Sequence, residues 1–231
     1  MLVAPRAQDP AVLSYLALRK AVGWIALGLP FALVIPWSLW LGHTLPSSIS
    51  GYYYTGMRNL FVGSLCAIAA FNLGCRGYDW KDEAAGIFSA ICALGVAFFP
   101  TLPCGFVPTP RQQRVGDAHL AFATLLFLTL AYFCLVLFRM TAQNKTMTRK
   151  KLQRNGVYMV CGWAILASIA AIIVFRLMGR TYLVGRLGVM FCFETTALLA
   201  FGVAWLVKGQ TILKDEIPDR PPYKGDVEVR R

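Results

Sequence analysis

The sequence predicts an all-α fold, a polytopic bundle of six transmembrane helices with both termini in the cytoplasm. Three observations predict it. Of the 231 residues, 57% are hydrophobic and only 15% are charged, whereas soluble domains run nearer ~25% charged. Apolar runs recur along the chain at close to the ~20 residues that a helix needs to cross ~30 Å of hydrocarbon. The Lys and Arg residues gather on one side of the alternation that these runs define.

The runs follow in order. Gly23 to Gly42 holds Pro30 and Pro36, which kink it. Leu60 to Cys75 is shorter and extends back into Met57–Asn59. Ala84 to Pro103, His119 to Phe138, Val157 to Leu177 and Gly188 to Val207 complete the set. No water inside a bilayer satisfies backbone groups, so runs of this length resolve as helices. Barrel strands would alternate apolar and polar residues, and these runs do not. Before the first run, Ala11 to Lys20 reads either as a short interfacial helix or as a continuation of that span. The opening residues, with Pro5, Asp9 and Pro10, lack the basic-then-apolar order of a cleaved signal peptide. The chain thus divides into a cytoplasmic segment 1–20, a bundle 21–208 and a polar, proline-containing cytoplasmic tail 209–231, expected to be flexible. Neither a long linker nor a strong internal repeat is present.

Orientation comes from the basic residues. With the N-terminus inside, only Arg58, Arg111, Arg114, Arg176, Arg180 and Arg186 of the 23 Lys and Arg residues fall outside. The other 17 lie inside. A net charge of +12 can signal nucleic acid. Here the excess sits beside spans, where topology and anionic lipid account for it, so membrane lipids and not nucleic acid are the expected partners. The run Lys145 to Arg154 reads as a stop-transfer signal that could also attract acidic headgroups. Lys208 is expected to snorkel toward the interface. In the third span, Gly86, Ala90, Ala93 and Ala97 form one small-residue face for close helix approach, within the chain or in a homo-oligomer.

Polar residues converge at the outer face, where the second, fourth and sixth spans begin. Arg58 and Asn59 open the second, Asp117 and His119 the fourth, and Glu194 lies a turn or two into the sixth. A carboxylate at that depth is costly unless it is paired or faces a wet cavity. Arg58 is its best-placed partner, and His119 could share a proton with it. Two readings stand: a buried Arg–Glu pair that fixes helix register, or a ligand pocket. Asp117 is expected to cap the fourth helix. The preceding loop carries Ser47, Ser48, Ser50 and Tyr52, Tyr53, Tyr54. It reads as an aromatic interfacial belt or as a lid over the cluster, with Ser50, Tyr53 and Asn59 joining Arg58, His119 and Glu194 as candidate ligand-binding residues. On the inner side, Asn72, Tyr78, Asp79, Asp82 and Glu83 read as loop solvation and a helix start.

Other chemistry is limited. The seven cysteines have no metal-ligand spacing and read as apolar packing residues. No phosphate-cradling loop, haem motif or other cofactor signature is present, and no nucleophile elbow surrounds Ser50. No metal and no cofactor are expected. Three function classes follow: a lipid-handling protein whose outer cluster holds a headgroup, a lipid-modifying enzyme working without metal through His119 and Glu194, and a proton-coupled transporter or channel.

Three segments carry a family resemblance. They are Ser48-Ile-Ser through Arg58-Asn-Leu-Phe-Val-Gly, Asp117-Ala-His-Leu-Ala-Phe-Ala, and Phe193-Glu-Thr through Trp205-Leu-Val-Lys. With six spans and inside termini, they resemble the clan of the damage-regulated autophagy modulators, the FGF-receptor-activating (GPI-remodelling) proteins and a bacterial family of uncharacterised membrane proteins, the last most closely. The resemblance implies a multi-pass protein of a bacterial inner membrane doing lipid-related work. It points to Ile49, Ser50, His119 and Glu194 as the shared site. The two histidines His43 and His119 cannot build the three-histidine zinc site of the ceramidase-like superfamily.

Overall fold

Proline sets both limits of the first helix. Pro10 can start it because the first helical N–H groups have no internal partner. Pro36 ends it, and the backbone widens into a π-turn at Trp37–Leu41. This helix, α1 (Pro10–Pro36), is continuous, so Ala11 to Lys20 continues the first helix and is not a separate one. The computed structural model describes residues 10–41, 44–74, 80–103, 107–140, 149–177 and 188–213. Cys75, Tyr78, Asp79, Cys104 and the tail from residue 214 lie outside them.

The other long helices are α2 (Arg58–Gly74), α3 (Trp80–Phe98), α4 (Pro110–Leu135), α5 (Arg149–Leu177) and α6 (Val189–Lys208). Short 3-10 turns occupy Ser50–Tyr54 and Leu137–Arg139. By length and composition, α1, α4, α5 and α6 can cross a membrane. α2 is apolar but has 17 residues, about 25 Å at 1.5 Å per residue. α3 carries Asp82 and Glu83 in its first turn. The surface agrees with an apolar solvent: Trp40 is 77% exposed, Val160 71% and Trp163 61%, too much outward apolar area for water to tolerate cheaply.

α4 starts earlier than hydropathy implied. Thr109 is its N-cap, its hydroxyl accepting from the Gln112 N–H while the Gln112 side chain accepts from the Thr109 N–H, with Pro110 at the first position. This reciprocal box satisfies two donors that a helix start leaves open. Asp117 is therefore not the cap. It is exposed within the helix and accepts from Gln113 at 3.0 Å.

Each helix packs on its neighbours in sequence, and α6 returns to α1, closing a ring across which α4 and α6 also touch. Lipid supplies no hydrophobic drive between helices, so close fit does the work. α1 and α6 cross at glycines: a Cβ on Gly202 would stand 2.9 Å from the Gly23 carbonyl oxygen. Gly86, Ala90, Ala93 and Ala97 are all buried, and a Cβ on Gly86 would lie 3.1 Å from the Asn72 carbonyl of α2. That small-residue face is used within the chain. Trp205 of α6 packs against Phe133, Phe138 and Phe201, joining α4 and α6 across the ring.

The ring has two distinct ends. One carries the segment 44–57, the α3–α4 connection and the start of α6. The other carries the end of α4, the start of α5 and the end of α6, where Gly209 lies against Lys20 of α1.

Candidate functional site

Residues 44–57 form a strap across the first of these ends. Its 3-10 turn begins after Ile49, whose N–H has no partner within the turn. The Glu194 carboxylate, about 8 Å along α6, accepts that N–H at 2.5 Å. One turn earlier in α6, the Phe191 N–H donates to the Ser47 carbonyl at 3.0 Å. At the other side the Tyr54 hydroxyl donates to the Thr101 carbonyl at 2.6 Å. The Trp37 indole donates to the Thr44 carbonyl at 2.9 Å. The strap is thus fastened to the π-turn after α1, to α6 and to the α3–α4 connection. Inside it, Ser48 accepts the Gly51 N–H at 2.9 Å through its hydroxyl.

Tyr52 anchors the strap from below. It is wholly buried, edge-on to Trp37 at 6.5 Å. Its hydroxyl meets no hydrogen-bond partner among the described residues, and burial raises its pKa above the ordinary phenol value. Tyr52→Phe keeps the packing and removes a stranded hydroxyl, so thermal unfolding in detergent should show a gain of about 1 kcal/mol. A lower melting temperature would mean that the hydroxyl carries a bond that matters.

Beneath the strap lies a cavity of about 50 Å³ inside the ring. Phe61, Leu65, Val96, Leu126 and Phe201 are among its apolar walls. Ser50 and Glu194 form its polar end. The space takes a small polar group or a few waters, each needing roughly 10–15 Å³. An acyl chain does not fit this volume. A larger open groove lies on the outer surface between α3 and α4, lined by Trp80, Phe88, Leu125 and Tyr132.

The structure brings some of the expected residues together and separates others. Ser50 and Glu194 share the cavity. Arg58 does not pair with Glu194: it is exposed, its guanidinium donates to the Tyr53 hydroxyl at 2.6 Å, and it sits 4.3 Å from the Tyr53 ring centroid, a cation–π arrangement. Asn59 is exposed on the first turn of α2. His119 is buried, and its Nδ1 lies 2.6 Å from the Phe99 carbonyl oxygen. A carbonyl only accepts, so Nδ1 carries the proton. His119 does not line the cavity. It lies about 13 Å into α4 and ties that helix to the end of α3.

No family model matches the chain, and neither a curated protein nor a solved structure does. Among the described residues, no group of three or more His, Cys, Asp or Glu side chains could hold a metal ion. Sequence reasoning missed the Ile49 N–H as a partner of Glu194 and Tyr53 as a partner of Arg58. A backbone donor leaves no trace in residue identity. The Tyr53 to Arg58 spacing is visible, but it becomes a contact only through the turn at 50–57.

Proposed function

We propose that this integral membrane protein crosses the bilayer six times with its strap outside and both termini in the cytoplasm, and that it holds a polar lipid headgroup at the strap end. The orientation follows the excess of Lys and Arg at the opposite end. α2 and α3 complete the six crossings because they are integral members of the ring, and a short helix is accommodated by local thinning of the bilayer.

The observation that carries the headgroup reading is the arrangement of Ser50 and Glu194 at the polar end of an otherwise apolar cavity, within one short segment of an exposed cation. Arg58, aligned by Tyr53, offers a charge-assisted donor to a lipid phosphate. Glu194 and the Ser50 hydroxyl suit a hydroxyl or amine of the same headgroup. The outward apolar surface lets the lipid's chains stay in the bilayer while its head reaches the strap. His119 acts by holding α4 against α3.

Native mass spectrometry of the detergent-purified protein tests this, comparing wild type with Arg58→Ala and Glu194→Gln. A lipid retained by wild type and lost from both variants is the expected result, and its mass names the headgroup class. Equal lipid retention in all three proteins would overturn the reading.

A further inference from the structure

The outer groove between α3 and α4 is apolar along its length and cationic at one end. Ala84 and Ala85 leave room between Trp80 and Phe88 on α3, while Leu125 and Tyr132 wall the space from α4, giving a groove of about 640 Å³. Small-molecule sites run to about 300–1,000 Å³. Two contacts fix the register of the helices: a Cβ on Gly95 would meet the Phe122 ring, and the Phe99 carbonyl meets His119. Continued down the antiparallel pair, that register puts Tyr132 level with Ala85, about one turn from Lys81. The lining residues on α3 run about 12 Å, from Trp80 to Phe88. That is most of the half-thickness of a ~30 Å hydrocarbon core.

Polar groups are sorted along this groove. Midway, Thr129 donates its hydroxyl to the Leu125 carbonyl at 2.8 Å, so its donor is already used. At the start of α3, Lys81 lines the groove and is exposed. Its ammonium has no hydrogen bond or ion pair among the described residues, and neither has the Tyr132 hydroxyl. Other lysines at this end differ. Lys151 donates to the Phe138 carbonyl at 3.1 Å, and Lys208 turns inward to the same oxygen at 3.5 Å instead of snorkelling. Two carboxylates follow Lys81 without pairing with it. Glu83 lies about 200° further round the helix, and Asp82 is partly buried with a contact of its own.

We propose that this groove holds one acyl chain of an anionic phospholipid, with the headgroup phosphate at Lys81. Length and charge together argue for that occupant. The apolar part matches the reach of a chain through one leaflet, and the open cation stands where the chain meets its headgroup. Bulk lipid is as apolar as the groove walls, so chain contact alone gives little preference. Selection comes from Lys81, whose ammonium makes a charge-assisted hydrogen bond to phosphate, stronger at a partly dry interface than in water. A headgroup without its own ammonium leaves that phosphate uncompensated and is favoured. The Tyr132 hydroxyl can donate to an ester carbonyl of the same lipid, and Trp80, 71% exposed, suits the headgroup level. The groove lies at the end opposite the strap and is independent of the site there.

The test places the full chain in nanodiscs of phosphatidylcholine mixed with phosphatidylglycerol and counts retained lipids by native mass spectrometry. Wild type should retain phosphatidylglycerol in preference to phosphatidylcholine, on a monomeric chain. Lys81→Gln removes the cation and should cut that preference about tenfold. Ala84→Phe fills the groove from an exposed position and should abolish retention of the same lipid. Arg58→Ala alters only the strap end and should leave the preference unchanged, which separates this lipid from one held at the strap. Melting temperature in detergent checks that each variant folds. Should Ala84→Phe fail to fold, Lys81→Gln alone decides. No preference in wild type, or a folded Lys81→Gln or Ala84→Phe that retains phosphatidylglycerol as wild type does, would overturn the proposal. So would a wild-type dimer that Ala84→Phe splits, since a second copy would then fill the groove.

Discussion

Gly202→Leu is expected to open the ring between α1 and α6. A Cβ at this position would come within 2.6 Å of Leu27 Cγ and 2.9 Å of the Gly23 carbonyl oxygen. The leucine side chain can turn away, but the carbonyl belongs to helix backbone and cannot. Forcing extra methylenes into a close-packed contact costs about 1–3 kcal/mol, and leucine brings more than one carbon. The measurement is the melting temperature of the monodisperse species in detergent, which should fall by several degrees. Gly28→Ala on α1 is the control. Its Cβ meets nothing within 4 Å, and alanine is the better helix former by roughly 0.5–1 kcal/mol, so that variant should melt no lower than wild type. Wild-type melting of Gly202→Leu would show that α1 and α6 do not approach through their backbones.

Glu194→Leu should release the strap while leaving the six helices in place. The carboxylate accepts the Ile49 N–H, a donor that the 3-10 turn cannot satisfy itself. Stranding a partly buried N–H costs about 1–3 kcal/mol. Limited proteolysis should then cut within 44–57 at a protease concentration that spares wild type. Glu194→Gln retains an acceptor oxygen and should be cut more slowly than Glu194→Leu. Equal resistance in all three proteins would show that the remaining fastenings at Ser47, Thr44 and Tyr54 hold the strap without Glu194.

Hydropathy made the helices legible, because a bilayer imposes one requirement on everything that faces it. The buried small-residue face of α3 was readable for a related reason: Gly86, Ala90, Ala93 and Ala97 repeat at helical spacing, and only a helix contact rewards that pattern. What escaped were features set by water or by helix rotation. The first turns of α4, Arg111-Gln-Gln-Arg114, are too polar for a span, yet Thr109-Pro110 and Gln112 already spell a helix start. A window tuned to lipid depth cannot register a helix that continues past the hydrocarbon. Arg58 and Glu194 begin neighbouring features at one level, but whether they meet depends on which way each helix is turned. Arg58 faces Tyr53, and Glu194 faces a backbone N–H. Lys208 posed the same difficulty, since nothing in its own segment announces the Phe138 carbonyl, 3.5 Å from its Nζ.

The closure of the ring by α6 against α1 has a consequence for how the protein is made. Along the rest of the circle, each helix meets its predecessor as soon as it leaves the ribosome, so contacts form in the order of synthesis. α1 is the exception. Its second flank is completed only by Gly202 and Leu206, near the end of the sixth helix. Until then the Gly23 face of the first helix stays open to lipid or to the insertion machinery. Chains halted before the sixth helix therefore keep that face of α1 unpaired, and only the complete chain covers it.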